Sequence, residues 1–174
     1  DQASIDRQWQ ALNYIDKPDF GRAVDEYEAF VDLLSQFDIE ISYSSPDQAT
    51  GLDSIYVRDT SLVCDKGVIL CNMGKAARQA EPQAISSVFT TMDVPILGVI
   101  EGDGHVEGGD VAWLNERTLA IAEGYRTNAA GITQLRDYLG GCIDELVVAP
   151  VPHWQGPGDV FHLMSTLSPI DADL

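Results

Sequence analysis

The chain is poor in basic residues and has no long apolar run. Its 174 residues include 10 Lys and Arg against 28 Asp and Glu, which gives a net charge of -18. This charge repels phosphate backbones and anionic lipid surfaces, so we expect no nucleic-acid partner. No stretch reaches the roughly 18 consecutive apolar residues of a membrane span, and no signal-peptide pattern opens the chain. We therefore expect no membrane association and a cytoplasmic location.

Cysteine is also scarce. The chain has three cysteines and no C-x-x-C pair, which argues against a disulfide framework and fits a reducing cytoplasm. Cys64 and Cys71 flank a tight turn at residues 65–67 and are typical of buried strand positions, whereas Cys142 falls at the predicted end of a helix. None of the three is expected to act as a nucleophile.

The apolar residues that are present are enough for one domain with a real core, since they make up 45% of the chain. Their helical spacing from Phe20 to Phe37 predicts an amphipathic helix. The alternating residues 39–43 then predict a strand, and residues 44–51 a polar loop.

The rest of the chain contains an internal repeat. Two units, at residues 53–101 and 102–150, each read strand, tight turn, strand, helix, strand, and their anchors Asp59 and Asp110, and Arg78 and Arg126, lie about fifty residues apart. With partial modules at 18–52 and 151–174, this predicts a single partial domain over 1–174. The predicted strands cover 55–64, 68–71, 95–100, 111–114, 118–122 and 146–149, and the predicted helices cover 82–92 and 129–139.

Carboxylates and one imidazole gather at the ends of these predicted elements. Asp53, Asp59, Glu107 and Asp110 precede strands, and His162 follows the second unit. This layout is typical of a site for a cationic, nitrogen-rich ligand.

Each of these residues also has a purely structural interpretation. Asp59 and Asp110 fit turn caps, and His162 fits a satisfied histidine on an apolar strand. Arg78 and Arg126 fit plain salt-bridge partners among so many acids.

The acidic loop over residues 101–110 also offers metal ligands, since carboxylates and an imidazole alternate along it. Its glycines at 102, 104, 108 and 109 indicate a bent loop rather than a rigid coordinating strand. A phosphate loop would need a lysine and a following helix, which the pattern lacks. We therefore expect no metal and no cofactor.

Five short strings, in this order and spacing, carry a resemblance to a known family. They are DSIYVRD at 53–59, GKAARQAE at 74–81, EGGD at 107–110, GYRTN at 124–128 and FHL at 161–163. From about residue 18 to residue 174 the chain resembles the guanidino-group-modifying (pentein) superfamily, which includes dimethylarginine dimethylaminohydrolase, arginine deiminase and the amidinotransferases. The resemblance implies an α/β-propeller of pseudo-symmetric ββαβ modules, incomplete here because the chain would supply about three of five.

The resemblance also implies roles for individual residues. His162 and Glu107 match the catalytic imidazole and the acid that pairs with it. The residues that match substrate-binding positions are Asp53, Asp59, Arg78, Asp110 and Arg126, with Asp59 holding the guanidinium and the two arginines gripping a substrate carboxylate.

Two departures from the family pattern matter. Arginine deiminases have His-x-Asp where this chain has His162-Leu163-Met164, which disfavours free arginine as substrate. The nucleophilic cysteine of the family lies well beyond Leu174. The resemblance therefore implies part of a hydrolase that converts a methylated arginine, or a similar small guanidino compound, to a citrulline-type product and an amine through a Cys-His-Glu site. Its cysteine lies outside this chain, so the chain alone is expected to be inactive.

Two alternatives stay open. An amidinotransferase uses the same site with an amine in place of water. A non-catalytic module that binds a cation, or an assembly fragment, is the second alternative. An unclosed ring exposes strand edges and apolar flanks, so we also expect self-association or pairing with a missing C-terminal fragment.

Overall fold

The computed structural model describes residues 1–152, 156 and 161–171. Within those residues it contains helices and strands in the order expected for two ββαβ modules preceded by helices. The helices are α1 Gln2–Gln8, α2 Phe20–Leu34, α3 Glu81–Thr91 and α4 Ala129–Leu139. The strands are β1 Ser61–Cys64, β2 Gly67–Leu70, β3 Ile96–Val99, β4 Val111–Asn115, β5 Thr118–Glu123 and β6 Glu145–Pro150.

The strands form two three-stranded sheets with the same topology. In the first sheet β2 is central, antiparallel to β1 across a tight turn and parallel to β3 after the α3 crossover. In the second sheet β5 is central, antiparallel to β4 and parallel to β6 after the α4 crossover. Each range predicted as a module thus contains one complete ββαβ unit, although the module boundaries themselves stay a prediction.

The two modules share one apolar core, which fixes one against the other. Leu62 and Ile69 come from the first sheet and Leu119 and Ile121 from the second, and all four are fully buried in the same cluster. An antiparallel bridge between Asn72 and Val106 ties the modules together beside this core. The loops that leave the core on this side carry the charged residues of the candidate site.

Two predicted strands are wrong or too long. Residues 39–43 form no strand: Ile39 and Tyr43 are exposed, so the alternating pattern has no sheet to pack on. The predicted strand over 55–64 is β only from Ser61, because residues 52–55 and 57–60 fold into two 3-10 turns. The short helix α1 was not predicted.

Helix α2 begins where predicted and ends three residues early. Asp19 caps it by accepting a hydrogen bond from the Arg22 amide at 2.8 Å. None of its residues is buried among the described part of the chain. Its large exposed apolar side chains are Phe20, Tyr27, Phe30 and Leu33.

Within the described residues, every helix is too short or too polar to cross a lipid bilayer.

The predicted third unit, starting near residue 159, falls mostly outside the described residues. Gly158, Asp159 and Val160 are not described, and neither is His153. His162 and Leu163 are described and form no strand, since residues 163–165 make a 3-10 turn. The alternative of His162 as a strand histidine is therefore wrong.

Candidate active site

Both modules present carboxylates from the same structural position, the 3-10 turn before the first strand. Asp59 lies in the turn Val57–Thr60 directly before β1, and Asp110 in the turn Gly108–Asp110 directly before β4. Glu107 immediately precedes the second turn. In a strand, successive side chains point to opposite faces of the sheet. Because these residues form 3-10 turns and not strands, that alternation does not apply to their side chains.

The side chains of Asp59, Glu107 and His162 converge, with one ligand atom of each within 4.8 Å of the others. Gly109 allows the close approach. A Cβ at this position would lie 2.7 Å from Asp59 Oδ1 and 3.0 Å from the His162 ring. Three residues singled out in separate strings of the sequence thus meet at one point between the modules.

The imidazole of His162 is held between two carboxylates. Its Nδ1 lies 3.0 Å from Asp110 Oδ1, and its Nε2 lies 3.4 Å from Glu107 Oε2. Burial alone lowers the pKa of His162, but the hydrogen bond and charge of Asp110, with the charges of Asp59 and Glu107, more than offset it, so the pKa is raised. The neighbouring carboxylates therefore stabilise the charged form of the imidazole.

Asp110 had been predicted to contact substrate, but the structure places it behind the imidazole. It is buried, and its Oδ2 accepts a hydrogen bond from Thr127 Oγ1 at 2.7 Å. The Leu163 amide donates to its Oδ1 at 3.3 Å. These contacts orient the carboxylate toward His162 Nδ1, and the substrate-binding role of Asp110 stays an untested prediction.

Glu107 is fully buried and has three groups around its carboxylate besides His162. The Lys75 amide donates to Oε1 at 3.1 Å, and Arg126 Nη1 lies 3.2 Å from both oxygens. The Glu107 amide in turn donates to Thr127 Oγ1 at 3.1 Å. These contacts satisfy the buried carboxylate and fix it in place.

Arg78 is bound by carboxylates on two sides. Its Nη1 lies 2.6 Å from Asp59 Oδ2, and its Nη2 and Nε contact Glu81 at 2.8 to 3.1 Å. Burial alone lowers the pKa of Arg78, but Glu81 and Asp59 outweigh it and raise the pKa. Only 5% of the side chain is exposed, so the structural interpretation of Arg78 as an ion-pair partner describes its geometry well.

A cavity of about 580 Å³ lies beside Asp59, Arg78 and His162, which form part of its lining. Asp53 lies at its edge, buried and paired with Lys75 Nζ at 2.6 Å. The segment Leu12–Asp16 forms another wall, where Lys75 Nζ donates to the Leu12 carbonyl at 3.2 Å. Tyr14 in this wall has a raised pKa because of burial and the nearby Tyr56 and Asp53.

Arg126 and His162 complete the lining of this cavity. The side chain of Arg126 is 19% exposed and that of His162 is 24% exposed. Both can therefore reach a molecule in the cavity while they keep their carboxylate partners.

None of the three cysteines lines this cavity. Cys71 lies near enough to Asp59 and Glu107 for their charges to affect the pKa of its thiol, but it is buried. Burial, with the charges of Asp59 and Glu107, raises the pKa of its thiol, so Cys71 stays protonated. Cys64 and Cys142 line a different cavity.

Asp59, Glu107 and His162 also have the donor atoms and spacing of a metal site within the described residues. The acidic-loop residues Glu101 and Asp103 are exposed and take no part in it. The expectation that this site takes an organic cation rather than a metal ion stays a prediction.

Four contributors to the site were not predicted from the sequence. Lys75 and Glu81 belong to the string that carries Arg78, and the Arg78-Glu81 spacing of three residues is a signal for an ion pair on one turn. Thr127 follows Arg126 in another of the strings. Tyr14 lies in a segment with no local signal.

The comparisons with known proteins agree on a fold and on a family. A family model described as arginine deiminase matches residues 53–174. An N(G),N(G)-dimethylarginine dimethylaminohydrolase from Pseudomonas aeruginosa is 28% identical over 123 residues, which cover 71% of this chain and 48% of that protein. The enzyme of the same description from Streptomyces coelicolor is 28% identical over 153 residues, covering 88% of this chain and 56% of that protein. The chain spans about half the length of the curated relatives it matches.

Solved structures give the same picture. A mutant of the dimethylarginine dimethylaminohydrolase from Pseudomonas aeruginosa, complexed with citrulline, has a TM-score of 0.75 at 27% identity, covering 87% of this chain and 56% of that chain. An amidinotransferase from Microseira wollei has a TM-score of 0.72 at 15% identity, covering 86% of this chain and 53% of that one, and so shows a shared fold. The predicted fold class, an incomplete α/β-propeller of ββαβ modules, is confirmed.

Proposed function

Because this chain belongs to the arginine deiminase family, which is part of the guanidino-group-modifying superfamily that the sequence resembles, we propose that it carries the guanidinium-binding and acid-base part of an enzyme that hydrolyses a methylated arginine. The products are a citrulline-type ureido compound and an amine. One observation carries the proposal: Asp59, Glu107 and His162 meet within 4.8 Å beside an open cavity.

The charge of the site favours a cationic substrate. By formal charge, five acidic side chains of the described residues lie against three basic ones. The acids are Asp53, Asp59, Glu81, Glu107 and Asp110, and the basic residues are Lys75, Arg78 and Arg126. With His162 charged, the cluster keeps one negative charge in excess. A guanidinium, which is planar and permanently charged, supplies the missing positive charge.

Asp59 is the acid that fixes this group. A carboxylate accepts two parallel N–H bonds from a guanidinium, which sets the plane of the substrate and polarises its central carbon. Arg78 orients Asp59 for this task, since it holds Oδ2 at 2.6 Å.

His162 moves the protons. In the first half-reaction a thiolate adds to the guanidinium carbon, and the departing amine takes a proton from the His162 imidazolium as its C–N bond breaks. In the second half-reaction His162 removes one proton from water, and the oxygen adds to the same carbon and expels the thiolate. The remaining proton on that oxygen passes to solvent, which leaves a neutral ureido group. Glu107 stabilises the charged imidazole in both steps, while Asp110 holds Nδ1 as a positioning residue.

The thiolate comes from polypeptide outside this chain. Cys71 is buried, and the raised pKa of its thiol favours the protonated form. Cys64 and Cys142 line another cavity. The exposed apolar face of α2 supports the presence of further polypeptide that packs on this chain. Self-association is the alternative that the same face permits.

Two features favour a methylated over a free guanidinium. A second cavity of about 450 Å³ adjoins Asp59 and His162, and its lining includes the exposed apolar side chains of Ile55, Val57 and Met164. N-methyl groups can pack against this surface, and the thioether of Met164 is too weak an acceptor to pair well with the extra N–H groups of an unmethylated nitrogen. Arg126 and Lys75, at the first cavity, suit the carboxylate end of the amino acid.

Amidino transfer remains the second candidate, because the same residues serve when an amine replaces water. An activity assay of the native polypeptide, isolated from its source, distinguishes hydrolysis from amidino transfer. Incubation with N(G),N(G)-dimethylarginine should yield citrulline and dimethylamine in equal amounts, with free arginine roughly tenfold or more slower. A new guanidine formed only in the presence of an acceptor amine identifies a transferase instead.

The 174-residue chain on its own is the matched control. It should bind dimethylarginine without turnover. Turnover by this chain that disappears when Cys64, Cys71 or Cys142 is replaced by Ser would overturn the assignment of the nucleophile. A non-catalytic binding module is indicated if the native polypeptide binds the ligand and never turns it over.

A further inference from the structure

The two half-buried cysteines, Cys64 and Cys142, meet across the boundary between the modules. Their sulfur atoms lie 3.8 Å apart, although 78 residues separate them in the sequence. Cys64 ends β1 of the first module, and Cys142 lies in the 3-10 turn after α4 of the second. The contact therefore joins two units that also share the apolar core and the Asn72–Val106 bridge.

The site is open to small reagents. Both cysteines line a cavity of about 610 Å³ together with Trp113, Lys66 and Arg117. Cys71, by contrast, is only 3% exposed. The chain thus has two accessible thiols in contact with each other and one thiol shielded from solvent.

We propose that Cys64 and Cys142 form an oxidisable dithiol site that hydrogen peroxide closes to a disulfide bridging the two modules. The sulfurs need to approach from 3.8 Å to about 2.0 Å. Because Cys142 sits in a short turn and Cys64 at a strand end, side-chain rotation with a small shift of the turn supplies this movement.

The chemistry balances with one peroxide per bridge. The first thiolate attacks a peroxide oxygen, the O–O bond breaks, and the departing hydroxide takes a proton to become water, which leaves a sulfenic acid. The second thiol then attacks this sulfur, the S–O bond breaks, and a second water leaves as the S–S bond forms. Two thiols are oxidised and one peroxide is reduced to two waters.

Charged groups surround the pair. Burial and the neighbouring Cys64 raise the pKa of Cys142, and Lys66 opposes them. The other charged groups that line the cavity are Asp65, Glu116 and Arg117. Either thiol can react first, because the other lies within contact distance to resolve the sulfenic acid.

Peptide mapping of the 174-residue chain after peroxide treatment tests the proposal. We expect one disulfide between Cys64 and Cys142, with Cys71 still able to react with iodoacetamide after unfolding. The oxidised chain should melt roughly 5–10 °C higher than the reduced chain, because the bridge closes a long loop. With Cys142→Ser, dimedone should trap a sulfenic acid on Cys64. Two free thiols after treatment, or only intermolecular disulfides, would overturn the proposal.

Phenylarsine oxide provides a second measurement on the unmodified native chain, since its arsenic bridges two thiols held close together. One equivalent should bind and block both Cys64 and Cys142, and Cys64→Ser should abolish this binding. Failure of the arsenical to bind the native chain counts against the pair as well. Neither experiment involves a guanidino ligand, so its result is independent of the proposed enzymatic function.

Discussion

Nδ1 of His162 lies 3.0 Å from Oδ1 of Asp110, so the imidazole is anchored to the turn that begins the second sheet. On the other side of the ring, Nε2 faces Glu107 at 3.4 Å. The ring is therefore positioned by one carboxylate and faces the cavity beside another. Asp110 and Glu107 thus contact opposite nitrogens of the same ring.

Replacing Asp110 with Asn should lower the pKa of His162, because the hydrogen bond and charge that stabilise the imidazolium are lost. The measurement is an NMR titration of the His162 Cε1–H resonance, assigned with a His162→Gln variant. Asp32→Asn, at an exposed position on α2, is the matched control and should leave the pKa unchanged. An unchanged pKa in Asp110→Asn would show that this contact does not exist in solution.

The raised pKa of His162 makes stability depend on pH in a defined direction. The folded chain holds the proton more tightly than the unfolded chain, in which histidine titrates near 6.5. The stabilisation is thus fully present below about pH 6.5 and is lost as the pH rises through the folded-state pKa. Urea unfolding from about pH 5.5 to 8.5 should show a decline in wild type that is absent from His162→Gln. Parallel curves for the two proteins would contradict the shift.

Gly109→Ala should disrupt the site. The added methyl group would lie 2.7 Å from Asp59 Oδ1 and 3.0 Å from the His162 ring, so both side chains must move apart. We expect a loss of about 1–3 kcal/mol of stability and weaker binding of dimethylarginine. Gly21→Ala, in α2 with a nearest contact of 3.4 Å, is the control and should be neutral or slightly stabilising. Equal behaviour of the two variants in unfolding and calorimetry would refute the crowding argument.

Glu81→Gln should be strongly destabilising, because it leaves the buried guanidinium of Arg78 short of a carboxylate. Breaking one partner of a buried ion pair costs about 3–5 kcal/mol. The matched control is Asp144→Asn, which removes the exposed partner of Arg117 and should leave the urea midpoint within error of wild type. A small effect at both positions would mean that Arg78 is held by Asp59 alone.

Much of this fold could be read from the sequence, and the exceptions have physical causes. The helix over 129–139 and the hairpins of both modules follow from local apolar spacing and turn residues. Residues 55–60 resemble a strand because half of them are β-branched. In the structure residues 57–60 form a 3-10 turn, and Asp59 in this turn pairs with Arg78. Residues 39–43 alternate as a strand does, but pairing partners cannot be read from local pattern.

For the site, the sequence indicates which charged residues come together, but it does not show which side chain contacts which. Asp110 was grouped with the substrate-binding acids, although its contacts are with His162 and Thr127. Lys75 was not predicted because its partner Asp53 lies 22 residues away in the sequence. Glu81 was not predicted because its contact with Arg78 depends on the 3-10 turn Ala76–Arg78, whose shape was not predicted. Such pairings are set by tertiary packing and not by local sequence pattern.

The most direct test is calorimetric titration of the 174-residue chain with N(G),N(G)-dimethylarginine, in wild type, Asp59→Asn and Asp32→Asn. Binding should be intact in wild type and Asp32→Asn and at least about tenfold weaker in Asp59→Asn. In wild type the ligand should also shift the His162 resonance, a readout that does not depend on any variant folding. Absence of binding to wild type, or ligand binding that leaves both Asp59→Asn affinity and the His162 resonance unchanged, would contradict a shared guanidinium site formed by Asp59, Glu107 and His162.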